Sequence, residues 1–333
     1  MNQTEGLKEY VAGKKYREPL GLPRQVTETY QMLAQGEYNR NYVFTHPATG
    51  KELVLRINFG SQMHLEHQIE YEYQALELLQ ESGRTPIPFY VDGSKEEIPY
   101  GVMVMEYLPG HAMNYRGELL RGADVLADIH SVWIPGNEFL ISPQKPLRAI
   151  LEECEEMFAV YETSPLGRKE TKRKIRELME IGWAKADQLT PPSYRCCINT
   201  ELNSTNFLMN DSGKDYLIDW EKPLYGEPAQ DLGHFLAPTT TFWKTDVILE
   251  QEEMKEFVRA YIQKVDGRFE TADLWERTSL YIQITCLRGV TWCAMAWIQY
   301  QQPDKEIFNA STYEKLEAYL ADDFLECIRE FVE

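Results

Sequence analysis

Three oxygen-bearing side chains stand near one another in the chain: Glu201, Asn206 and Asp219. A carboxylate, an amide and a second carboxylate in this order suit the binding of a metal–nucleotide. A hard cation such as Mg²⁺ takes oxygen ligands and keeps positions for phosphate oxygens. Phe207–Met209 and Tyr216–Ile218 are apolar strand candidates, and Asn210-Asp211-Ser212-Gly213 is a turn between them. The spacing predicts a hairpin whose open end carries Asn206 and Asp219. Glu201 precedes Asn206 by five residues, short enough for one loop to present both side chains.

A second candidate is Arg56, in the run Glu52-Leu53-Val54-Leu55-Arg56-Ile57. A charge with apolar neighbours on both sides of a strand needs a partner. Glu72, on the helix that follows, is the candidate partner, with Glu66 and Glu70 as competitors. Gln35-Gly36-Glu37-Tyr38-Asn39-Arg40-Asn41 lies between two strand candidates and can fold over phosphates if its amides face inward. With one glycine it fits an ordinary hairpin turn equally well. His130 reads as structural, and His234 lacks a Cys or Ser partner at nucleophile spacing.

The elements that must position these residues fall into two parts. Up to Tyr107 the chain is β-rich. Strands are expected at 28–34, 41–45, 52–57, 87–91 and 100–107, with a helix over 64–80 carrying Leu65, Ile69, Tyr73, Leu76 and Leu79 at helical spacing. Gly83 is positioned to end that helix. Leu108-Pro109-Gly110 breaks the last strand and sets the expected boundary: residues 1–107 as one domain, 108–333 as the other. The second part reads as helical over 119–132, as two long amphipathic helices on either side of Pro165-Leu166-Gly167, and over 279–301 and 312–332.

The segment 199–232 resembles the aminoglycoside phosphotransferase and choline kinase family, small-molecule relatives of the protein kinases. That family carries His-Gly-Asp-x-x-x-x-Asn, then Ile-Asp-Trp/Phe, then Gly-Asp-Pro-x-x-Asp-Leu. The counterparts here are Asn199-Thr200-Glu201 and Asn206, then Ile218-Asp219-Trp220, then Gly226-Glu227-Pro228 with Asp231-Leu232. The resemblance implies an α+β, two-lobe, protein-kinase-like fold: a small β-rich nucleotide-binding lobe and a larger, mainly helical catalytic lobe, with ATP and Mg²⁺ between them. It implies Glu201 as the catalytic carboxylate and Asn206 and Asp219 as metal ligands. It also implies phosphate contacts from Gly36, Asn39 and the Arg56–Glu72 pair, and adenine contacts from the backbone near Glu106 and Tyr107. Asp231 would steady the catalytic loop.

The chain departs from the family at the catalytic position, where Glu replaces Asp. Its side chain is longer by one C–C bond, roughly 1.5 Å. Phosphoryl transfer depends chiefly on positioning, so either the loop absorbs this or the rate falls about 100-fold. Two readings follow: an ATP- and Mg-dependent kinase acting on a hydroxyl of a small molecule, or a nucleotide-binding regulator with little transferase activity. On the substrate side, Trp292, Trp297 and Tyr300 loosely resemble the Trp-rich C-terminal helix of choline kinases. Their faces suit a quaternary ammonium group, but core packing explains the same spacing, as it does for Tyr281 and Phe242-Trp243.

The net charge of −19 opposes association with nucleic-acid backbones and anionic membranes and is compatible with a cationic acceptor. Acidic residues such as Glu153, Glu155 and Glu156 either attract an amine or form a solvated face. No run of eighteen apolar residues marks a membrane span. The polar first residues and six cysteines without CxxC spacing point to reduced thiols in a cytoplasmic protein.

Overall fold

The computed structural model describes residues 4–36, 38–61, 63–134, 139–302 and 309–333; Glu37 of the expected phosphate loop lies outside them. Along the chain run α1 (Leu7–Ala12), α2 (Lys14–Arg17), β1 (Gln31–Gln35), β2 (Asn39–Thr45), β3 (Glu52–Asn58), α3 (Gln68–Leu79), β4 (Pro88–Asp92), β5 (Gly101–Glu106) and β6 (His111–Ala112). Next come α4 (Tyr115–His130), α5 (Pro146–Thr163), α6 (Lys169–Trp183), β7 (Cys196–Ile198), β8 (Phe207–Met209), β9 (Tyr216–Leu217) and β10 (Leu224–Gly226). The chain ends in α7 (Pro228–Leu236), α8 (Pro238–Thr245), α9 (Gln251–Val265), α10 (Leu274–Tyr300), α11 (Ala310–Tyr319) and α12 (Asp322–Val332). The result is the mixed α+β architecture expected, with a small antiparallel sheet and a larger helical part.

Two compact units are present, and neither is one continuous stretch. The first joins the chain up to Ala112 with Val132–Leu140 and Asn206–Pro223; the second holds Met113–Ser131, Ile141–Thr205 and Leu224–Glu333.

In the first unit, five antiparallel strands lie in the order β1-β2-β3-β5-β4. β3 is central, so its residues from Leu53 to Asn58 are all buried. Successive side chains point to opposite faces. Leu53, Leu55 and Ile57 join Val102 and Val104 of β5 in a core completed by Leu7, Tyr10, Val11 and Tyr16 of α1 and α2. These N-terminal helices were not expected from the sequence. Their signal is short: Leu7, Tyr10 and Val11 at spacings of three and four. α3 runs to Leu79, a single 3₁₀ turn continues to Ser82, and Gly83 stops it at φ 60°, a conformation glycine takes without a Cβ clash. β8 and β9 form the expected hairpin, with Phe207 opposite Leu217 and Leu208 opposite Tyr216, and β6 adds to its other edge.

The second unit is built round α10, which buries residues on all sides along most of its length. α5 and α7 pack against it. At Gly233 of α7 an added Cβ would fall 2.3 Å from Tyr281 Cβ, so the helices approach this closely only with glycine there. β7 pairs with β10, Cys197 opposite Tyr225, and leads into the loop that carries Glu201. One expectation needs correction. The stretch 312–332 is two helices, broken at Leu320 and Ala321, where the backbone of Ala321 is extended and Asp322 and Asp323 open a new first turn. Acidic side chains there favour a helix N-terminus.

Candidate active site

In the first unit, the face of β3 opposite the core carries Val54 and Arg56, and both line a cavity of about 290 Å³. Glu72, Met105, Glu106, Tyr107, Ile218 and Asp219 line it too. Five residues singled out in the sequence thus share one cavity, although they come from β3, α3, β5 and the β8–β9 hairpin. Its walls mix apolar surface from Leu33, Val54, Met105 and Leu208 with a few charged groups, the composition of a small-molecule site.

Arg56 is the centre of this arrangement. Its Nη1 donates to Glu72 Oε1, its Nε donates to Asn41 Oδ1 at 3.0 Å, and its Nη2 donates to Asp219 Oδ1 at 3.4 Å. Glu221 Oε1 lies 3.8 Å from Nη1. Of the three glutamates weighed as its partner, Glu72 makes the bond; Glu70 instead lies 3.7 Å from His67. Burial lowers the proton affinity of the Arg56 guanidinium, but the charges of Glu72, Asp219 and Glu221 more than reverse this. Burial pushes the Glu72 carboxyl up to about 7, opposed by Arg56. Its second oxygen is buried and has no protein partner among the described residues.

Asp219 follows the hairpin at φ 68°, a strained conformation for a residue other than glycine and one that clusters at functional sites. Asn206 precedes the hairpin, is buried, and accepts the Ile218 amide hydrogen on its carbonyl at 2.9 Å. The two expected metal-ligand positions therefore flank the open end of one β-ribbon.

Gly36 donates its amide hydrogen to Asn39 O at 2.9 Å, closing the turn between β1 and β2. The Asn39 side chain donates to Glu221 and accepts from Asn58 Nδ2 at 2.9 Å. Glu221 was not singled out in the sequence. Its signal is its place two residues after Asp219. Burial and then the nearby Asp219 charge push its carboxyl up to about 8. The amide hydrogens of Glu106 and Tyr107 go to the carbonyls of Ile87 and Glu52, so an adenine edge would be read through other backbone groups of that segment.

In the second unit, Glu201 sits on the loop after β7. Asp231, fully buried on α7, accepts the amide hydrogens of Asn199 at 2.7 Å and Thr200 at 2.8 Å. The Asn199 side chain accepts the Glu201 amide hydrogen at 3.0 Å. His130 Nε2 lies 3.2 Å from Asp231 Oδ2 and Nδ1 lies 2.9 Å from the Tyr261 hydroxyl. With Asp231 already accepting two amides, Nε2 is placed to donate to it, which fixes the tautomer and leaves Nδ1 to accept from Tyr261. The loop is thus tied to α4, α7 and α9. Glu227, the counterpart of the Asp in the family's Gly-Asp-Pro, is buried and binds Arg277 and the Tyr281 hydroxyl at 2.8 Å.

The Glu201 carboxylate accepts a hydrogen bond from Arg288 Nη2 at 3.1 Å. Arg288, on α10, also donates to Glu153 from Nε at 3.0 Å and from Nη2 at 3.3 Å. Glu153 and Glu155 are engaged within the unit, Glu155 by Arg176 and Trp183. The aromatic residues of α10 are packed: Trp297 donates to Glu317, Trp292 meets Trp243 edge-on, and Tyr300 stacks on Tyr313.

Among the described residues, no three His, Cys, Asp or Glu side chains form a metal site by themselves, and no helix is long and apolar enough to cross a membrane. Mg²⁺ needs no such cage, because substrate phosphates complete its shell. An amide and a carboxylate, the side chains of Asn206 and Asp219, offer the oxygen ligands that cation takes.

Similarity to known proteins bears on the fold and the family. No curated protein sequence matches the chain. The fold is shared with solved structures of low sequence identity. An ethanolamine kinase from Plasmodium vivax is 14% identical with a TM-score of 0.64, over 98% of this chain and 94% of that one. The choline kinase LicA from Streptococcus pneumoniae is 18% identical with a TM-score of 0.58, over 94% and 99%. The spectinomycin phosphotransferase APH(9)-Ia, solved with ADP and spectinomycin, is 14% identical with a TM-score of 0.58, over 92% of each chain. Residues 29–278 match the model of the APH phosphotransferase enzyme family, and the chain belongs to that family of small-molecule kinases.

Proposed function

We propose that the chain transfers the terminal phosphoryl group of ATP to a hydroxyl of a small metabolite or antibiotic, in a magnesium-dependent reaction. The observation that carries this reading is the cavity in which Arg56, braced by Glu72, stands beside Asp219.

In this reading the apolar wall of the cavity takes the adenine, and Arg56 binds phosphate oxygens through its planar fork. Gly36 and Asn39 belong to the turn that covers them. Asn206 and Asp219 would hold Mg²⁺, which when bound neutralises charge on the transferring phosphate. Glu201 orients the acceptor hydroxyl and takes its proton as the oxygen–phosphorus bond forms and the bond to ADP breaks. The acidic balance of −19 favours an acceptor that is cationic or neutral over an anionic one. The six free thiols support a reducing compartment, and we place the protein in the cytoplasm.

A second reading, a nucleotide-binding regulator with little transferase activity, draws on the engagement of Glu201 by Arg288. A coupled assay for ADP release across aminoglycosides, choline, ethanolamine, thiamine and sugars separates the two. Acceptor-dependent ADP release supports the kinase. Magnesium-dependent ATP binding without phosphorylation of any acceptor supports the regulator.

A further inference from the structure

We propose that Arg288, braced by Glu153, is the positioning residue that holds the Glu201 carboxylate in place for transfer. This rests on the reading of Glu201 as the proton acceptor.

The problem Arg288 solves follows from the chain's own departure at this position. The loop backbone is locked by Asp231 and Asn199 up to the Glu201 amide. That lock would fix an Asp carboxylate well, since two side-chain torsions separate it from the backbone. Glu adds a third, and each unlocked rotamer spreads the carboxylate over several ångströms. Positioning dominates phosphoryl transfer, and a misplacement of about 1 Å can cost roughly 100-fold. A longer carboxylate therefore needs a hold beyond the backbone.

Arg288 has the geometry for that role. It projects from the middle of α10, a 27-residue helix that α5 and α7 pack against, so its root is rigid. Glu153 on α5 receives both Nε and Nη2, which sets the plane of the guanidinium. The same Nη2 reaches Glu201 Oε1 at 3.1 Å. Burial disfavours a cation here, and the charges of Glu201 and then Glu153 reverse that penalty. The Cys154 thiol, also near, is buried and its proton affinity is raised, mainly by burial. The arrangement carries one cation between two carboxylates, so it holds Glu201 without making the acceptor side cationic.

The test uses the full chain, labelled with ¹³C-glutamate, with the Glu201 signals assigned by their loss in Glu201→Gln. Three-bond couplings report its rotamers, and MgATP hydrolysis, with water as the acceptor, reports transfer. In Arg288→Met the couplings are expected to average over rotamers. The kcat for hydrolysis is expected to fall at least about tenfold, with KM for MgATP within about twofold. Arg288→Lys, which keeps the charge and loses the fork, should recover part of the loss. Unchanged couplings in Arg288→Met, or hydrolysis within about twofold of the parent, would overturn the proposal. If Arg288→Met does not fold, Glu153→Gln decides, since it loosens the brace at a half-exposed site. Rotamer averaging with a several-fold lower kcat supports the proposal, and no change in either refutes it. A single Glu201 rotamer in the parent that averages in Arg288→Met, in a parent that hydrolyses no ATP and phosphorylates no acceptor, would leave the hold intact and refute the kinase reading instead.

Discussion

Asp231 Oδ1 accepts the amide hydrogen of Thr200 at 2.8 Å, and Thr200 stands at φ 65°. A β-branched residue in the left-handed region is strained. The family resemblance puts glycine at this position, and the conformation explains why glycine serves there. In this chain a buried carboxylate holds a threonine in the same shape.

Thr200→Gly should therefore stabilise the protein. The strain relieved is about 1–2 kcal/mol, and the extra chain freedom of glycine removes roughly 0.5–1 kcal/mol of that. Urea unfolding should show a net gain of up to about 1.5 kcal/mol. A loss of stability would mean that the threonine side chain contributes more than its backbone costs.

The Arg56–Glu72 pair gives an asymmetric prediction. Glu72→Ala leaves a buried cation with Asp219 3.4 Å away as partial compensation, and should cost about 3 kcal/mol. Arg56→Met with Glu72→Leu together should cost much less, while abolishing nucleotide binding. Denaturant unfolding and calorimetry on the same samples separate the two effects. Equal costs for the single and double changes would contradict the pairing as the source of the penalty.

How much of this was legible beforehand depends on the range of the signal. The hairpin, the β-rich part and α3 follow from period and turn residues, which are local. Arg56 was legible because a charge inside an apolar strand needs a partner, and Glu72 supplies it. Arg288 carries the same signal, a charge inside the mostly apolar α10, yet its partners Glu153 and Glu201 are 135 and 87 residues away in sequence. No period links such distances. Glu221 was hidden for another reason: its hydrogen-bond partners Asn39 and Gln68 lie far off in sequence, on β2 and α3. The break at Leu320 was missed because the apolar spacing continues through it.

Stability should depend on pH through Glu72 and Glu221. Burial holds their carboxyls at about 7 and about 8, above the ordinary 4.5. The folded state thus binds protons that the unfolded state has released, and the sign is fixed: this contribution is present at low pH and is lost as pH rises from about 4.5 through 8. Glu221→Gln removes one of the two groups while keeping an acceptor for Asn39. The variant should gain thermal stability relative to the parent as pH rises from 5 to 9. A difference that is flat across that range would count against the assignment.

Glu201→Gln should separate binding from transfer. Acceptor phosphorylation is expected to fall by about 10²–10⁴-fold, while the affinity for MgATP stays within about twofold. Parental activity in the variant would remove Glu201 from its proposed role.

The most direct test of the whole account is the magnesium dependence of AMP-PNP binding, measured by titration calorimetry on the parent and on Asp219→Asn. The account predicts that Mg²⁺ tightens binding at least about tenfold in the parent, or about 1.4 kcal/mol, and that the variant loses this gain. Affinity indifferent to magnesium, or an equal gain in both proteins, would contradict it.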